Sequence, residues 1–220
     1  MPNLAQKLHY SILSFWISCK GERINFISHL IGLIFSIIGI ILLLISTKKY
    51  FYLERLSILI YGFSLFIMYL SSTIYHATYH PKKKKFLQII DHCSIYILIA
   101  GTYTPFTFIT LKNNNGYFLL GLVWIIAILG IIFKIIWKDK YDLFATLGYL
   151  IAGWVILIDI KKFYEIFPKD GFNWIFMGGL LYTIGALFYL IEKLPRNHEI
   201  WHGFVLLASY CHFQAVYSYL

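Results

Sequence analysis

The sequence predicts an all-α polytopic membrane protein, a bundle of seven transmembrane helices. Two observations support this fold class. Of the 220 residues, 60% are hydrophobic and only 13% are charged, whereas a soluble domain is nearer half apolar and a quarter charged. The apolar residues also fall into runs long enough to cross a bilayer, which takes about 20 residues in a helix. These runs are too long for barrel strands and do not alternate as such strands do.

Seven apolar runs are separated by short charged connections such as STKKYFYLER and HPKKKK. The predicted spans are 25–47, 56–79, 86–110, 116–137, 142–160, 172–192 and 198–219. Gly101 and Pro105 predict a kink in the third span. No connection is long enough to hold a soluble domain. We therefore expect residues 24–220 to form one transmembrane domain, with any function inside the bundle or at its ends.

Residues 1–23 are predicted to form a cytoplasmic or interfacial segment ahead of the first span. Within it, residues 4–19 are apolar on one side but are interrupted by Lys7 and His9. They lack the compact apolar core and the small-residue cleavage site of a signal peptide. An amphipathic helix lying on the membrane surface is the better interpretation.

The basic residues predict the orientation of the bundle. Lys and Arg number 12 on the side of the N-terminus and 7 on the other side, and cytoplasmic loops carry the excess of positive charge. We expect a cytoplasmic N-terminus and an outer C-terminus. The bias toward Ile, Lys, Asn, Phe and Tyr indicates an AT-rich genome and hence a bacterial inner (plasma) membrane. The net charge of +9 lies in these loops, so membrane lipids and not nucleic acid are the expected partners.

Ionisable residues from several spans fall at one depth, near the cytoplasmic end. His76 ends the second span, Asp91 lies about one turn into the third, and His198 and His202 begin the seventh. Such residues are costly in a bilayer and indicate function. His198 and His202 are spaced i, i+4, so they share a helix face and can hold one ion. Three imidazoles and a water form the ligand set of a catalytic zinc site, where a nearby carboxylate can deprotonate the water.

The other polar residues near these spans have simpler interpretations. His80 and His92, taken individually, are expected in the headgroup region. His29 is expected to be a packing residue that is hydrogen-bonded to a neighbouring helix. His212 lies ten residues, or about 15 Å of helix rise, beyond the His198/His202 pair and is assigned to packing. Ser72 bonds either its own backbone or a ligand near His76.

The stretch His198-Glu199-Ile200-Trp201-His202 matches the H-E-x-x-H signature of zinc proteases. Extended forms of that motif place a further His six residues on, where this chain has Ala208, and no Asp or Glu follows Glu199. A third ligand must come from an earlier helix, which disfavours a protease. Glu199 then becomes an incidental residue whose charge suits a helix N-terminus.

Three segments, SSTIYH, DHCSIYILIAGTYTPF and HEIWHGFVLLASYCHF, closely resemble the hemolysin-III family in sequence and in order. That family is related to the progestin and adipoQ receptors, and ERINFISHLIG resembles its opening. The resemblance runs from about residue 20 to the end of the chain. It implies zinc held by His76, His198 and His202, with Ser72 and Asp91 beside the water on the zinc. The wider superfamily, which includes alkaline ceramidases, implies a membrane hydrolase acting on lipid amides.

Two functions remain open from the sequence. The first is a zinc-dependent intramembrane hydrolase of lipid amide or ester bonds, with Asp91 as general base and Ser72 as a polar partner of the water or the oxyanion. The second is a non-enzymatic membrane-homeostasis or hemolysin-like protein, cytolytic when overproduced, with a structural zinc and Asp91 as its fourth ligand. A transporter is less consistent, because the polar groups cluster at one end.

Overall fold

The structure is a computed structural model and describes residues 21–138 and 140–220, which are 87% helical and contain no strand. The predicted surface helix at residues 4–19 lies outside the described residues. The α-helices of the described part are α1 (Arg23–Ser46), α2 (Tyr52–Ala77), α3 (Pro81–Pro105), α4 (Gly116–Trp137), α5 (Asp142–Gly153), α6 (Ile160–Ile166), α7 (Lys169–Leu190) and α8 (Asn197–Tyr219).

Six segments of the described chain are long and apolar enough to cross a membrane. They are Arg23–Lys49, Tyr52–Ala77, Pro81–Thr110, Gly116–Trp137, Asp142–Ile166 and Lys169–Leu190. α8 has 23 residues, enough to cross a bilayer, but three histidines and Gln214 make it less apolar than the six. The protein is therefore an all-α polytopic membrane protein, as predicted, and its helix count agrees with seven spans.

The spans close into a ring. α1 packs against α2 and α8, α8 packs most extensively against α7, and α3 contacts α2, α4 and α5. Because α8 meets α1, the last span lies beside the first. Residues from the beginning and the end of the chain can therefore share one site.

α1 turns its polar and small residues inward and its large apolar residues outward. Its buried positions are Asn25, His29, Gly32, Ser36, Gly39 and Leu43, whereas Ile31, Ile34 and Phe35 are exposed. This pattern suits a helix whose outer face contacts lipid. Small residues also let membrane helices approach closely: a Cβ on Gly32 would lie 2.2 Å from Cε1 of Tyr69 in α2.

Two spans depart from regular α-helix. The third ends its α-helix at Pro105 and continues as a π-helix over Phe106–Thr110, so the irregularity falls beside the predicted kink. The fifth changes to a 3-10 helix over Val155–Asp159, which the sequence did not predict. There the Tyr103 hydroxyl donates a hydrogen bond to the Gly153 carbonyl (2.6 Å) and accepts one from the Ile156 N–H (2.9 Å). One side chain thus satisfies the backbone groups that the break releases.

Candidate metal centre

Three histidine rings meet at one end of the bundle, which we call the histidine end: the starts of α1, α3 and α8 and the end of α2. His198 and His202 lie one turn apart on α8, so they face the same side. Nε2 of His198 lies 3.4 Å from Nε2 of His76 and 3.1 Å from Nε2 of His202. The ligand atoms of the three residues all lie within 4.8 Å of one another. The structure thus brings together the three residues that the resemblance assigned to zinc.

Two of the three separations between these nitrogen atoms fit a tetrahedral metal ion, and the third is within 4.8 Å. Zn–N bonds of about 2.0–2.1 Å at tetrahedral angles put the nitrogen atoms about 3.3 Å apart. The two measured separations, 3.4 and 3.1 Å, lie on either side of this value. His76 and His202 are also almost completely buried, so bulk water does not compete for their ring nitrogens.

The hydrogen bond of His76 to Glu22 fixes the tautomer of its ring. Nδ1 of His76 lies 2.7 Å from Oε2 of Glu22. An ionised carboxylate can only accept a hydrogen bond, so Nδ1 carries the hydrogen and donates it. In the neutral ring, Nε2 is then left with its lone pair directed toward His198. A carboxylate that holds the ring of a ligating histidine in this way is a common companion of metal sites.

The hydrogen bond of His202 to Ser28 also places the ring hydrogen on Nδ1. The Ser28 hydroxyl donates its hydrogen to the Asn25 carbonyl at 2.9 Å, so it can only accept from Nδ1 of His202, which lies 3.2 Å away. Nδ1 of His202 therefore carries the ring hydrogen, and Nε2 has a free lone pair.

These tautomers place bare nitrogen atoms opposite one another. Nε2 of His76 and Nε2 of His202 both direct lone pairs at the ring of His198, whose Nε2 carries at most one hydrogen for the two of them. Within the described residues no further donor is recorded at these atoms. A cation at this point satisfies all three lone pairs, so the chemistry of the donor set fits a metal ion.

Glu22 stands just outside the first span, as the residue before α1, and its charge is held by three donors. Besides His76, its carboxylate accepts hydrogen bonds from Lys84 Nζ (2.6 Å) and Asn25 Nδ2 (3.1 Å). Partial burial pushes the pKa of Glu22 upward, but the hydrogen bonds from His76, Lys84 and Asn25 outweigh it and hold that pKa well below its usual value. Glu22 is therefore ionised throughout the physiological range of pH.

Asp91 and Ser72 lie beside the histidines but do not join the ligand group. Both side chains are buried, at 7% and 1% exposure, and they face each other without meeting hydrogen-bond geometry. Among the described residues, the group that could hold a metal ion contains His76, His198 and His202 but not Asp91. Among the described residues the ligand group therefore has three members, with Asp91 and Ser72 outside it.

A cavity of about 130 Å³ opens from this cluster into the bundle. Its polar lining near the histidines includes His29, Ser72, Asp91 and His92, while Leu98, Ile99, Trp154, Tyr182 and Val205 are among the residues that line it deeper in the membrane. The cavity is thus polar at the metal centre and mainly apolar beyond it.

The structure corrects two expectations about single histidines. His92 is buried at 8% exposure and lines the cavity, so its predicted place in the headgroup region is wrong, whereas His80 is exposed at the start of α3. His29 is also buried, but within the described part of the chain neither ring nitrogen makes the predicted hydrogen bond. Instead its ring stacks on His202, with 3.7 Å between the ring centroids.

Two other residues lie where the sequence suggested. His212 contacts the Ile175 carbonyl at 3.2 Å through Nε2, a packing role between α8 and α7. Glu199 pairs with Arg196 at 3.7 Å and is not part of the ligand group found among the described residues. The match to H-E-x-x-H therefore reflects the two histidines alone.

Glu22 and Ser28 are the residues that sequence reasoning missed. Glu22 was included in the segment ahead of the domain, and its partners His76 and Lys84 lie 54 and 62 positions away. One signal was available: Glu22, Asn25 and His29 are spaced i, i+3, i+7, which puts three polar residues on one face of an otherwise apolar helix.

The fold and the site define a class: a multi-pass α-helical membrane protein with a buried group of three histidines that could hold a metal ion. The family model "Haemolysin-III related" matches residues 17–213, and the chain belongs to this family. Hemolysin-3 of Bacillus cereus is 46% identical over 202 residues, covering 91% of this chain and 92% of that protein. The Hemolysin-3 homolog of Bacillus subtilis (strain 168) is 43% identical, with coverage of 91% and 94%.

The similarity extends to animal proteins. The human monocyte to macrophage differentiation factor is 27% identical over 175 residues, covering 76% of this chain and 71% of that protein. The Drosophila melanogaster adiponectin receptor protein is 24% identical over 153 residues, which is 58% of this chain and 34% of the receptor. The predicted relation to the hemolysin-III family and its wider superfamily is confirmed.

Proposed function

We propose that this protein is a zinc-dependent hydrolase of lipid amide or ester bonds in the bacterial inner membrane, with its N-terminus and its histidine end on the cytoplasmic side. The single observation that carries the proposal is the convergence of three Nε2 atoms, with separations of 3.1 and 3.4 Å, at the polar end of a cavity inside the bundle. Three histidines with an open fourth position are the ligands of a catalytic zinc.

His76, His198 and His202 would hold the metal. A bound zinc ion supplies a Lewis acid that makes water nucleophilic near neutral pH and polarises a carbonyl group. The apolar depth of the cavity suits the hydrocarbon part of a lipid, which brings the polar linkage of the lipid to the histidine end.

Asp91 acts as the general base in this reaction. It accepts a proton from water as the water oxygen bonds to the carbonyl carbon, and returns the proton to the departing nitrogen or oxygen as the C–N or C–O bond breaks. The products are a fatty acid and an amine or alcohol. That Asp91 lies near the ligand group without joining it supports this role over that of a fourth ligand.

Ser72 and His29 supply hydrogen bonds to the reacting groups. Among the residues that the structure describes, the Ser72 hydroxyl and both ring nitrogens of His29 are buried without a partner, and both residues line the cavity. A buried polar group without a partner lowers the stability of the fold by about 1–3 kcal/mol. Such a cost favours a functional role for these groups. A lipid carbonyl and the attacking water provide the missing partners, with Ser72 placed to stabilise the oxyanion.

The first test is metal content, measured by mass spectrometry on detergent-purified protein after metal-replete preparation. We expect about one zinc per chain in the wild type, because three histidines bind one zinc ion. We expect none in the His198→Ala/His202→Ala variant, which keeps only one of the three. An Asp91→Asn variant keeps its zinc but loses about 10²–10⁴-fold in turnover of N-acyl or ester lipids. A wild type without zinc, or Asp91→Asn with full turnover, would contradict the proposal.

A second candidate function is membrane permeabilisation on overproduction, with a structural zinc. It is favoured by the name Hemolysin-3 carried by the Bacillus cereus relative. The two functions differ in their dependence on Asp91. Lysis of erythrocytes that is equal for wild type and Asp91→Asn, with no lipid turnover by either protein, would favour this second function.

A further inference from the structure

A carboxylate outside the ligand set connects three helices at the histidine end. Glu22 precedes α1, its Oε2 accepts from Nδ1 of His76 near the end of α2, and its Oε1 accepts from Nζ of Lys84 in the first turn of α3. The Glu22 side chain is 30% exposed, so it lies at the boundary of the bundle. Nothing in the H-E-x-x-H or S-x-x-x-H patterns points to it.

We propose that Glu22 is a positioning residue for the metal ligand His76, an inference that rests on the metal site of the proposed function. A neutral imidazole has one N–H, and either nitrogen can carry it. By accepting the hydrogen of Nδ1, Glu22 keeps the lone pair of Nε2 on the side of His198 and His202. It also holds the plane of the ring, so that Nε2 lies 3.4 Å from Nε2 of His198.

The other contacts of Glu22 prevent it from acting as a ligand itself. Oε1 is held by Lys84 at 2.6 Å, and Oε2 is shared between His76 at 2.7 Å and Asn25 at 3.1 Å. Both oxygens are thus committed to donors on the side of His76 away from the ligand group. Lys84 in turn lies over the ring of Tyr75, with Nζ 5.0 Å from the ring centroid.

The opposite end of the bundle offers a matched control. Glu54 near the start of α2 pairs with Lys112 beyond α3, with Oε1 and Nζ 3.1 Å apart. The residue types are the same, and the pair also joins two neighbouring spans. Within the described residues no histidine contacts Glu54. Loss of its charge therefore reports what a glutamate–lysine pair contributes without a metal ligand.

The experiment compares zinc affinity in the full chain, purified in detergent, by competition with a chromogenic chelator. Wild type, Glu22→Gln and Glu54→Gln are measured side by side. Loss of a partner that orients a ligating histidine lowers metal affinity about 10–100-fold, and we expect this for Glu22→Gln. Its amide oxygen accepts more weakly, and its NH₂ group can donate to Nδ1 and favour the wrong tautomer. Glu54→Gln is expected to match the wild type.

A spectroscopic readout separates positioning from general destabilisation. Co²⁺ replaces zinc, and its visible absorption depends on the geometry of the ligands. We expect Glu22→Gln to alter this spectrum while its far-ultraviolet circular dichroism stays that of the wild type, and Glu54→Gln to alter neither. Wild-type zinc affinity and cobalt spectrum in Glu22→Gln, or an equal loss in Glu54→Gln, would overturn the inference alone. A wild type that binds no zinc would overturn the proposed function as well.

Discussion

Glu22 at the histidine end and Glu54 at the opposite end form similar ion pairs with different surroundings. Each carboxylate meets a lysine, Glu22 with Lys84 at 2.6 Å and Glu54 with Lys112 at 3.1 Å. Of the two glutamates, only Glu22 also contacts a histidine, His76, which belongs to the group of imidazoles in the interior. The same pair of residue types thus stabilises a boundary at one end and orients a ligand at the other.

The interiors behind the two glutamates differ in the same way. At the opposite end, Phe106, Phe163 and Phe167 pack ring against ring, with centroids 5.0 to 5.9 Å apart. Such packing needs no hydrogen-bond partners. At the histidine end, buried polar atoms of His29 and Ser72 have no hydrogen-bond partner in residues 21–138 and 140–220. The comparison shows that the role of an ion pair at the membrane boundary depends on the side chains that it contacts.

The largest expected effect distinguishes two stacked rings at the histidine end. His202→Phe removes a ligand and is expected to abolish zinc binding. His29→Phe replaces the ring stacked on it at 3.7 Å, but His29 is not in the ligand group, so zinc content should stay that of the wild type. Metal content per chain measures both. Loss of zinc in both variants would show that His29 is also a ligand.

The second effect belongs to the middle of the bundle. Tyr103→Phe leaves the Gly153 carbonyl and the Ile156 N–H without the hydroxyl that bonds both. Unsatisfied buried groups cost about 1–3 kcal/mol, and we expect the free energy of unfolding in detergent to fall by about this amount with zinc content unchanged. Tyr117→Phe, at an exposed tyrosine, is the control. Equal stability of both variants would contradict the role of Tyr103.

A third effect tests the close contact of α1 with α2. Gly32→Ala places a Cβ 2.2 Å from Cε1 of Tyr69, and overpacking of this kind costs about 1–3 kcal/mol. Gly121→Ala in α4 is the matched control, because a Cβ there meets no described residue within 4 Å. Unfolding of the two variants in detergent should differ by this amount. If Gly32→Ala is as stable as Gly121→Ala, the two helices are not packed as described.

The smallest expected effect sharpens the comparison of the two glutamates. Lys112 is about half exposed, and exposed ion pairs contribute at most about 1 kcal/mol. Glu54→Gln should therefore lower the free energy of unfolding by no more than this, in the same denaturation assay. A much larger loss would mean that the opposite end depends on its ion pair as strongly as the histidine end does.

Much of the fold could be predicted because lipid imposes a simple rule on sequence. The span 116–137 was predicted with the bounds of α4, since its apolar run ends sharply at polar loops. The break after Gly153 was not predicted, because the first four residues of Val155–Asp159 are apolar like the helix before them. The hydroxyl of Tyr103, from another span, bonds backbone groups at the break, and such a contact leaves no trace in local sequence.

The candidate site was predicted in part for a similar reason. His198 and His202 share a face by spacing alone, and His76 followed from its depth at the same end and from the resemblance. The roles of Glu22 and Ser28 were not predicted, because they depend on which histidine ring each residue contacts across the bundle. The burial of His92 was not predicted, because the direction of a side chain around its helix depends on the neighbouring spans. The sequence indicates only the depth of a residue in the bilayer.

The order of the ligands along the chain has a consequence for how the protein is made. His76 and His198 are 122 positions apart, and α8 is synthesised after every other helix described. During insertion the ribosome delivers Glu22 and His76 early, as an incomplete pair of contacts. The three histidines of the proposed metal site therefore come together only when α8 has packed against α1 and α7.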